Sequence, residues 1–180
     1  MVETRRWIDH DVVGHDFAVH VNVSQIQLAS PSFVDLVSSM LRLHDLAPHR
    51  LVLEARETAL LGNNPDVDRS VRALRKFGVQ VAIDNFGTGA NALSVLTDVG
   101  ADILKLDGSL ALPSGSTEAD TRIVRAVVLL AHALGMRVVA ERVSSTEQLR
   151  RLRSAGCDLV QGNLLCAPGP ANALPTMTAY

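Results

Sequence analysis

The sequence predicts an α/β domain whose strands are mostly parallel. Three observations lead there. Apolar, β-branched runs alternate along the chain with segments of helical spacing, the order that builds βα units on a parallel sheet. The run Val79-Gln80-Val81-Ala82-Ile83 reads as a strand covered on both faces, and it stops abruptly in Asp84, Asn85 and two glycines, Gly87 and Gly89. Every strand-like run also closes on an acid, an amide or a lysine, at the end where parallel architectures carry their sites.

The elements follow in order. Residues 1–15 read as the end of a helix and a turn, with Trp7, the only tryptophan, covering a core edge. Residues 16–23 alternate and then turn apolar, which predicts a strand ending at Asn22 and Ser24. Helical spacing at Phe33, Val34, Val37, Met40 and Leu41 predicts a helix over 31–43, with Ser30 as N-cap and Pro31 in the first helical position. A short strand at 51–53 runs into Glu54, and Arg56 and Glu57 follow. Residues 65–77 read as a helix capped by Asn64 and stopped by Gly78, and the strand ending in Asp84 comes next. A short helix is expected at 91–97, then a strand at 102–106 that delivers Lys105 and Asp107. Residues 112–117 are the most loop-like in the chain. An amphipathic helix at 118–134 is closed by Gly135, and a strand at 136–140 ends in Glu141. Thr146 caps a helix at 146–155 closed by Gly156, and a last strand at 158–160 ends in Gln161 and Gly162. Residues 169–180 read as a C-terminal tail. The units differ in length and content, so they are no internal repeat, and six strands fit either an open sheet or a barrel.

Composition narrows the function. At 180 residues the natural expectation is one domain with ample core. Aromatics are only 3%, which argues against a base-stacking platform, and a net charge of −2 gives no reason to expect duplex binding. No apolar run is long enough to cross a bilayer and no signal-peptide start is present, so a cytoplasmic protein is expected. Cys157 and Cys166 then read as free thiols. The histidines show no zinc-binding spacing.

The strand ends bring together Asn22, Glu54, Asp84 with Asn85, Lys105 with Asp107, Glu141 and Gln161. Carboxylates and amide oxygens without soft ligands suit Mg²⁺ or Mn²⁺, and a lysine beside such a metal favours a phosphate substrate. There is no Walker loop, which argues against ATPase-type chemistry. Lys105 as a Schiff-base nucleophile is the alternative, but that chemistry does not need so many carboxylates.

At this point the chain resembles the EAL family of cyclic di-GMP phosphodiesterases. The matching runs are Val21-Asn22-Val23-Ser24, Leu53-Glu54 through Glu57, Asp84 through Gly89, Asp102 through Asp107, Val138-Val139-Ala140-Glu141, and Gly156-Cys157-Asp158 through Gly162, in family order over residues 16–168. The resemblance implies a TIM-like barrel, with parallel strands and incomplete at its N-terminal side, that hydrolyses cyclic di-GMP to linear pGpG with Mg²⁺ or Mn²⁺. Carried over by position, Asn22, Glu54, Asp84 and Asn85 fall on the metal site, and Lys105 and Glu141 on the groups that position and activate water. Asp107 and Gln161 fall on further site positions. Glu57 falls on the glutamate that anchors the loop after Asp84, a loop the family also uses for homodimers.

Several departures from the family pattern bear on activity. The motif that names the family should lie upstream of Trp7 and is absent. The family's paired Asp-Asp is Asp84-Asn85 here, and a neutral amide binds a hard cation more weakly than a carboxylate. Ala90-Asn91-Ala92 replaces the usual Tyr-Ser-Ser, Gly108 stands in place of an arginine, Arg142 in place of a glycine, and Ser144 in place of a glutamate. Weak or partial metal occupancy and impaired hydrolysis are therefore expected. The alternatives are a non-catalytic cyclic di-GMP-binding or protein-interaction module, or an incomplete gene product.

Overall fold

The computed structural model of the chain describes residues 1–14, 16–60, 64–87, 96–111 and 118–170. Six strands, β1 (Val19–Asn22), β2 (Leu51–Arg56), β3 (Gln80–Phe86), β4 (Ile103–Leu106), β5 (Arg137–Ala140) and β6 (Leu159–Val160), form one sheet in chain order. Every neighbouring pair is parallel. The connecting helices are α1 (Val2–Asp9), α2 (Gln25–Leu28), α3 (Phe33–Leu43), α4 (Glu57–Leu60), α5 (Pro65–Phe77), α6 (Gly108–Ala111), α7 (Glu118–Ala133) and α8 (Thr146–Ala155). The sheet curls into a half-barrel of the TIM-like kind with helices on its convex face. Among the described residues no helix is long and apolar enough to cross a membrane.

Strand alternation sorts the side chains into two layers. Outward, Leu51, Leu53, Val81, Ile83, Leu104, Leu106, Val138 and Ala140 join the main core with helix residues such as Leu41, Leu74, Val128 and Leu152. Inward, a separate small cluster consists of Val52, Ala82, Ile103 and Val139, with Ala18 against it. The polar residues of interest follow from it by one step of the pleat: two positions after each inner apolar residue stand Glu54, Asp84, Lys105 and Glu141. Two positions before Ala82 and Val139, at the other end of the strands, Arg137 Nη2 donates to Gln80 Oε1 at 2.7 Å. The inner face is thus apolar in its middle and polar at both ends.

Local chemistry explains most boundaries. Asn64 Oδ1 accepts the Asp66 N–H at 3.0 Å, Pro65 occupies the first turn of α5, and Gly78 closes it at φ +100°. Trp7 of α1 meets Phe17 edge-on with ring centroids 5.9 Å apart, tying the first helix to the entry of β1. Other boundaries correct the sequence reading. The third helix begins at Phe33, and Pro31 lies in the turn closed by the Phe33 N–H on the Ser30 carbonyl. Ser145, not Thr146, caps α8, because Ser145 and Gln148 complete a reciprocal capping box. A like box, Ser24 with Gln27, starts α2, which is too short to show a helical period. The second strand continues past Glu54 to Arg56, and β3 runs through Asp84 and Asn85 to Phe86. Residues 88–95, 112–117 and 171–180 lie outside the described set, and with them most of the expected helix at 91–97, the loop at 112–117 and nearly all of the tail.

Candidate functional site

One buried lysine holds the rim together. Lys105 Nζ lies 2.7 Å from Glu54 Oε1, 2.7 Å from Glu141 Oε1 and 3.4 Å from Asp84 Oδ1. Its side chain is only 5% exposed. The groups come from the carboxyl ends of β2, β3 and β4 and from the residue after β5, so the sheet itself sets their spacing. Burial alone would push the Lys105 ammonium toward its neutral form, but the contacts with Glu141 and Glu54 outweigh it and hold its pKa above the ordinary lysine value. Glu54 shows the mirror balance. Burial pushes its carboxyl up, while His20 and Lys105 together pull it below the usual glutamate range.

His20 Nδ1 reaches Glu54 Oε1 at 2.7 Å, so one carboxylate oxygen meets both an imidazole and an ammonium. Asn22, two positions further along β1 and on the same face, lines a cavity of about 650 Å³ with Glu54, Arg56 and Asp84. Asn85 is not simply the next strand residue. It has φ +56°, and the pairing of β3 with β4 shifts register between Ile83 and Phe86, the mark of a bulge. The kink turns its amide back so that Nδ2 donates to Asp84 Oδ2 at 2.9 Å.

Beside this cluster, Asp107 is 3% exposed. Its Oδ1 accepts the Ser109 N–H at 2.8 Å and its Oδ2 lies 3.2 Å from Arg142 Nη2. The hydrogen bonds from Ser109, more than the Arg142 charge, hold its carboxyl below the usual aspartate range. A second cavity, about 400 Å³, is lined by Arg56, Glu57, Thr58, Asp84, Asn85, Asp107 and Arg142, and a third, about 480 Å³, includes Glu141, Arg142 and Gln161. Gln161 thus shares a cavity with Glu141, one of the carboxylates that hold Lys105. Glu57 is 3% exposed, and neither carboxyl oxygen has a hydrogen-bond partner among the described residues. Of the loop after Asp84 that it is expected to anchor, residues 88–95 lie outside the described set.

A match to the EAL domain family covers residues 2–168. The chain belongs to the EAL domain family. The cyclic di-GMP phosphodiesterase NbdA of Pseudomonas aeruginosa is 37% identical over 164 residues, 91% of this chain and 21% of that protein. The crystal structure of the EAL domain of Mycobacterium smegmatis DcpA superposes with a TM-score of 0.87 at 36% identity, over 95% of this chain and 76% of that one. A structure of PaMucR phosphodiesterase in complex with c-di-GMP superposes with a TM-score of 0.85 at 34% identity, over 96% of this chain and 69% of that one. This chain spans about a fifth to a quarter of the length of the curated relatives it matches.

In this EAL domain the donor set fits a hard cation in kind. Asn22, Glu54 and Asp84 offer oxygen donors around one cavity, and no thiolate approaches them. No group of three or more His, Cys, Asp or Glu side chains is gathered as a cation cage among the described residues. Such a cation would therefore rely on the Asn22 amide and on water to complete its shell. Two residues at the EAL rim escaped the sequence reading of the site. His20 was signalled by the alternation that places it on the face of Asn22. Arg142 was noted there only as a departure from glycine.

Proposed function

We propose that this EAL domain binds cyclic di-GMP across the carboxyl ends of its strands and hydrolyses one phosphodiester of it, slowly, to pGpG. The observation that carries the reading is the buried Lys105 bound by Glu54, Glu141 and Asp84 at the rim. The similarity to the cyclic di-GMP phosphodiesterase NbdA and to PaMucR phosphodiesterase in complex with c-di-GMP supports the same ligand.

In this reading Asn22, Glu54 and Asp84 hold Mg²⁺ or Mn²⁺. When bound, such an ion lowers the pKa of water and neutralises charge on a phosphoryl oxygen. Glu141 accepts the proton of the attacking water, and Lys105, hydrogen-bonded to Glu141, fixes the orientation of that carboxylate and offsets its charge. Asp107 and Gln161 shape the substrate cavity on either side. The slowness follows from Asn85. A carboxylate there would add negative charge for a cation, but the amide is neutral and already donates to Asp84. Weak or partial metal occupancy is the expected result. The same substitution favours a second reading, a domain that binds the dinucleotide and signals without turnover.

Incubation of the chain with cyclic di-GMP and Mn²⁺, with pGpG followed by chromatography, separates the two. Slow conversion that rises about 10²-fold or more in Asn85→Asp supports an impaired enzyme. Binding without any conversion in either protein favours the signalling module. Equal turnover by both proteins rejects the role assigned to Asn85.

A further inference from the structure

Arg142 places a guanidinium on the EAL rim, beside the site carboxylates. Arg142 directly follows Glu141, and its backbone takes φ +60°, a left-handed conformation that costs strain in any residue but glycine and is least costly in Asn or Asp. The same strand-end geometry recurs at Asn85, which follows Asp84 with φ +56°. At Asn85 the residue type suits the conformation. At Arg142 it does not, and the side chain makes specific contacts. The side chain lies over Gly108: a Cβ at that glycine would fall 3.0 Å from Arg142 Cδ and 3.1 Å from its Cβ. The glycine at 108 thus makes room for the arginine's stem.

The guanidinium is oriented as well as present. Asp107 is buried, its Oδ1 is committed to the Ser109 N–H, and its Oδ2 receives Arg142 Nη2. Arg142 itself is 70% exposed and lines both the cavity of about 400 Å³ and the cavity of about 480 Å³ that includes Glu141. A guanidinium has five N–H donors in a fixed fork, more than one carboxylate oxygen engages. Three carboxylates also line the cavity of about 400 Å³: Asp84 lies against Lys105, Asp107 is held by Ser109 and Arg142, and Glu57 is buried at 3% exposure, which leaves Arg56 and Arg142 as its cationic lining residues.

We propose that Arg142 is a substrate-binding residue of this domain, taking an anionic phosphodiester group of the cyclic dinucleotide, with Asp107 as the positioning residue that aims it. The inference rests on the functional reading above. It adds to that reading a contact made through Arg142.

The test compares cyclic di-GMP with guanosine, which carries no phosphate, by titration calorimetry on the full chain and on Arg142→Gln, Arg142→Lys and Arg142→Gly. Loss of one charge-assisted hydrogen bond to phosphate raises the Kd for cyclic di-GMP about 10-fold or more in Arg142→Gln and Arg142→Gly. Arg142→Lys retains part of the affinity, and guanosine binding stays the same throughout. The Arg142→Gly variant, relieved of backbone strain, is expected to bind poorly while melting no lower than Arg142→Gln, which separates a lost contact from a lost fold. If instead Arg142 only neutralises Asp107, the variants melt earlier and keep their cyclic di-GMP affinity within twofold, and the proposal is overturned. An unsubstituted chain that shows no cyclic di-GMP binding rejects the functional reading, and the role of Arg142 with it.

Discussion

Replacing Lys105 by methionine removes the ammonium and leaves an apolar side chain of similar length on a rim of carboxylates. Lys105 Nζ makes two contacts of 2.7 Å and one of 3.4 Å, and the side chains involved are between 5% and 13% exposed. Hydrogen bonds to charged groups are each worth about 1.5–3 kcal/mol, and removal of one partner of a buried ion pair costs about 3–5 kcal/mol. Two short contacts at the lower value give about 3 kcal/mol, and the rim's open side keeps the total near that end. For a domain of this size each kcal/mol moves the melting temperature by about 2–4 °C, so a drop of about 6–12 °C is expected. The pH dependence carries a sign. Glu54 has a folded-state pKa below its ordinary value of 4.5, so its stabilising effect is present above that value and is lost as pH falls through the lower, folded one. Lys105 is one of the two groups responsible, so the gap between Lys105→Met and the unsubstituted chain narrows as pH falls below the ordinary glutamate value. Urea unfolding followed by circular dichroism at a series of pH values measures both quantities. A loss under about 1 kcal/mol at neutral pH, or a gap that stays constant into acid, would refute the argument that Lys105 organises the rim.

Two further outcomes test the structure away from the rim. Asp158 Oδ2 accepts the Val138 N–H at 2.6 Å and lies 2.8 Å from His132 Nε2, and although burial pushes its carboxyl up, these contacts hold it below the usual aspartate range. Asp158→Ala should cost about 1 kcal/mol at neutral pH, with partial exposure keeping the figure low, and the cost should fade as pH drops through that depressed value; denaturant unfolding measures it. Burial pushes the Cys157 thiol up to about 11, whereas Cys166 is exposed. Labelling the native chain with a thiol reagent at neutral pH should therefore show one fast group and one slow one, with Cys166→Ser abolishing the fast phase.

Much of this architecture was legible because strand alternation leaves a plain record. Val52, Ala82, Ile103 and Val139 each precede a rim residue by two, so reading the residue that closes each apolar run found Glu54, Asp84, Lys105 and Glu141 together. Helix α5 was legible end to end because Asn64, Pro65 and Gly78 each act through local backbone chemistry. What escaped depends on contacts between distant segments or on backbone twist. No local pattern announces that Asn85 adopts φ +56° in a bulge and turns back on Asp84, or that His20 shares a carboxylate oxygen with a lysine from β4. The cap at Ser145 was misplaced by one residue because neighbouring Ser and Thr residues are nearly equivalent caps by type, and the hydrogen bonds with Gln148 decide between them, whereas α3 starts two residues late because the Phe33 N–H closes a turn on the Ser30 carbonyl, and Ser32 ahead of it makes no side-chain capping bond.

The central claim is that this EAL domain takes cyclic di-GMP at the carboxyl ends of its strands. A crystal structure of the chain with cyclic di-GMP tests it most directly. The account predicts the dinucleotide over β2 to β5, with a phosphate group within hydrogen-bonding reach of Arg142 and close to Lys105 and Glu141. A ligand seated at the opposite end, against Gln80 and Arg137, would contradict it.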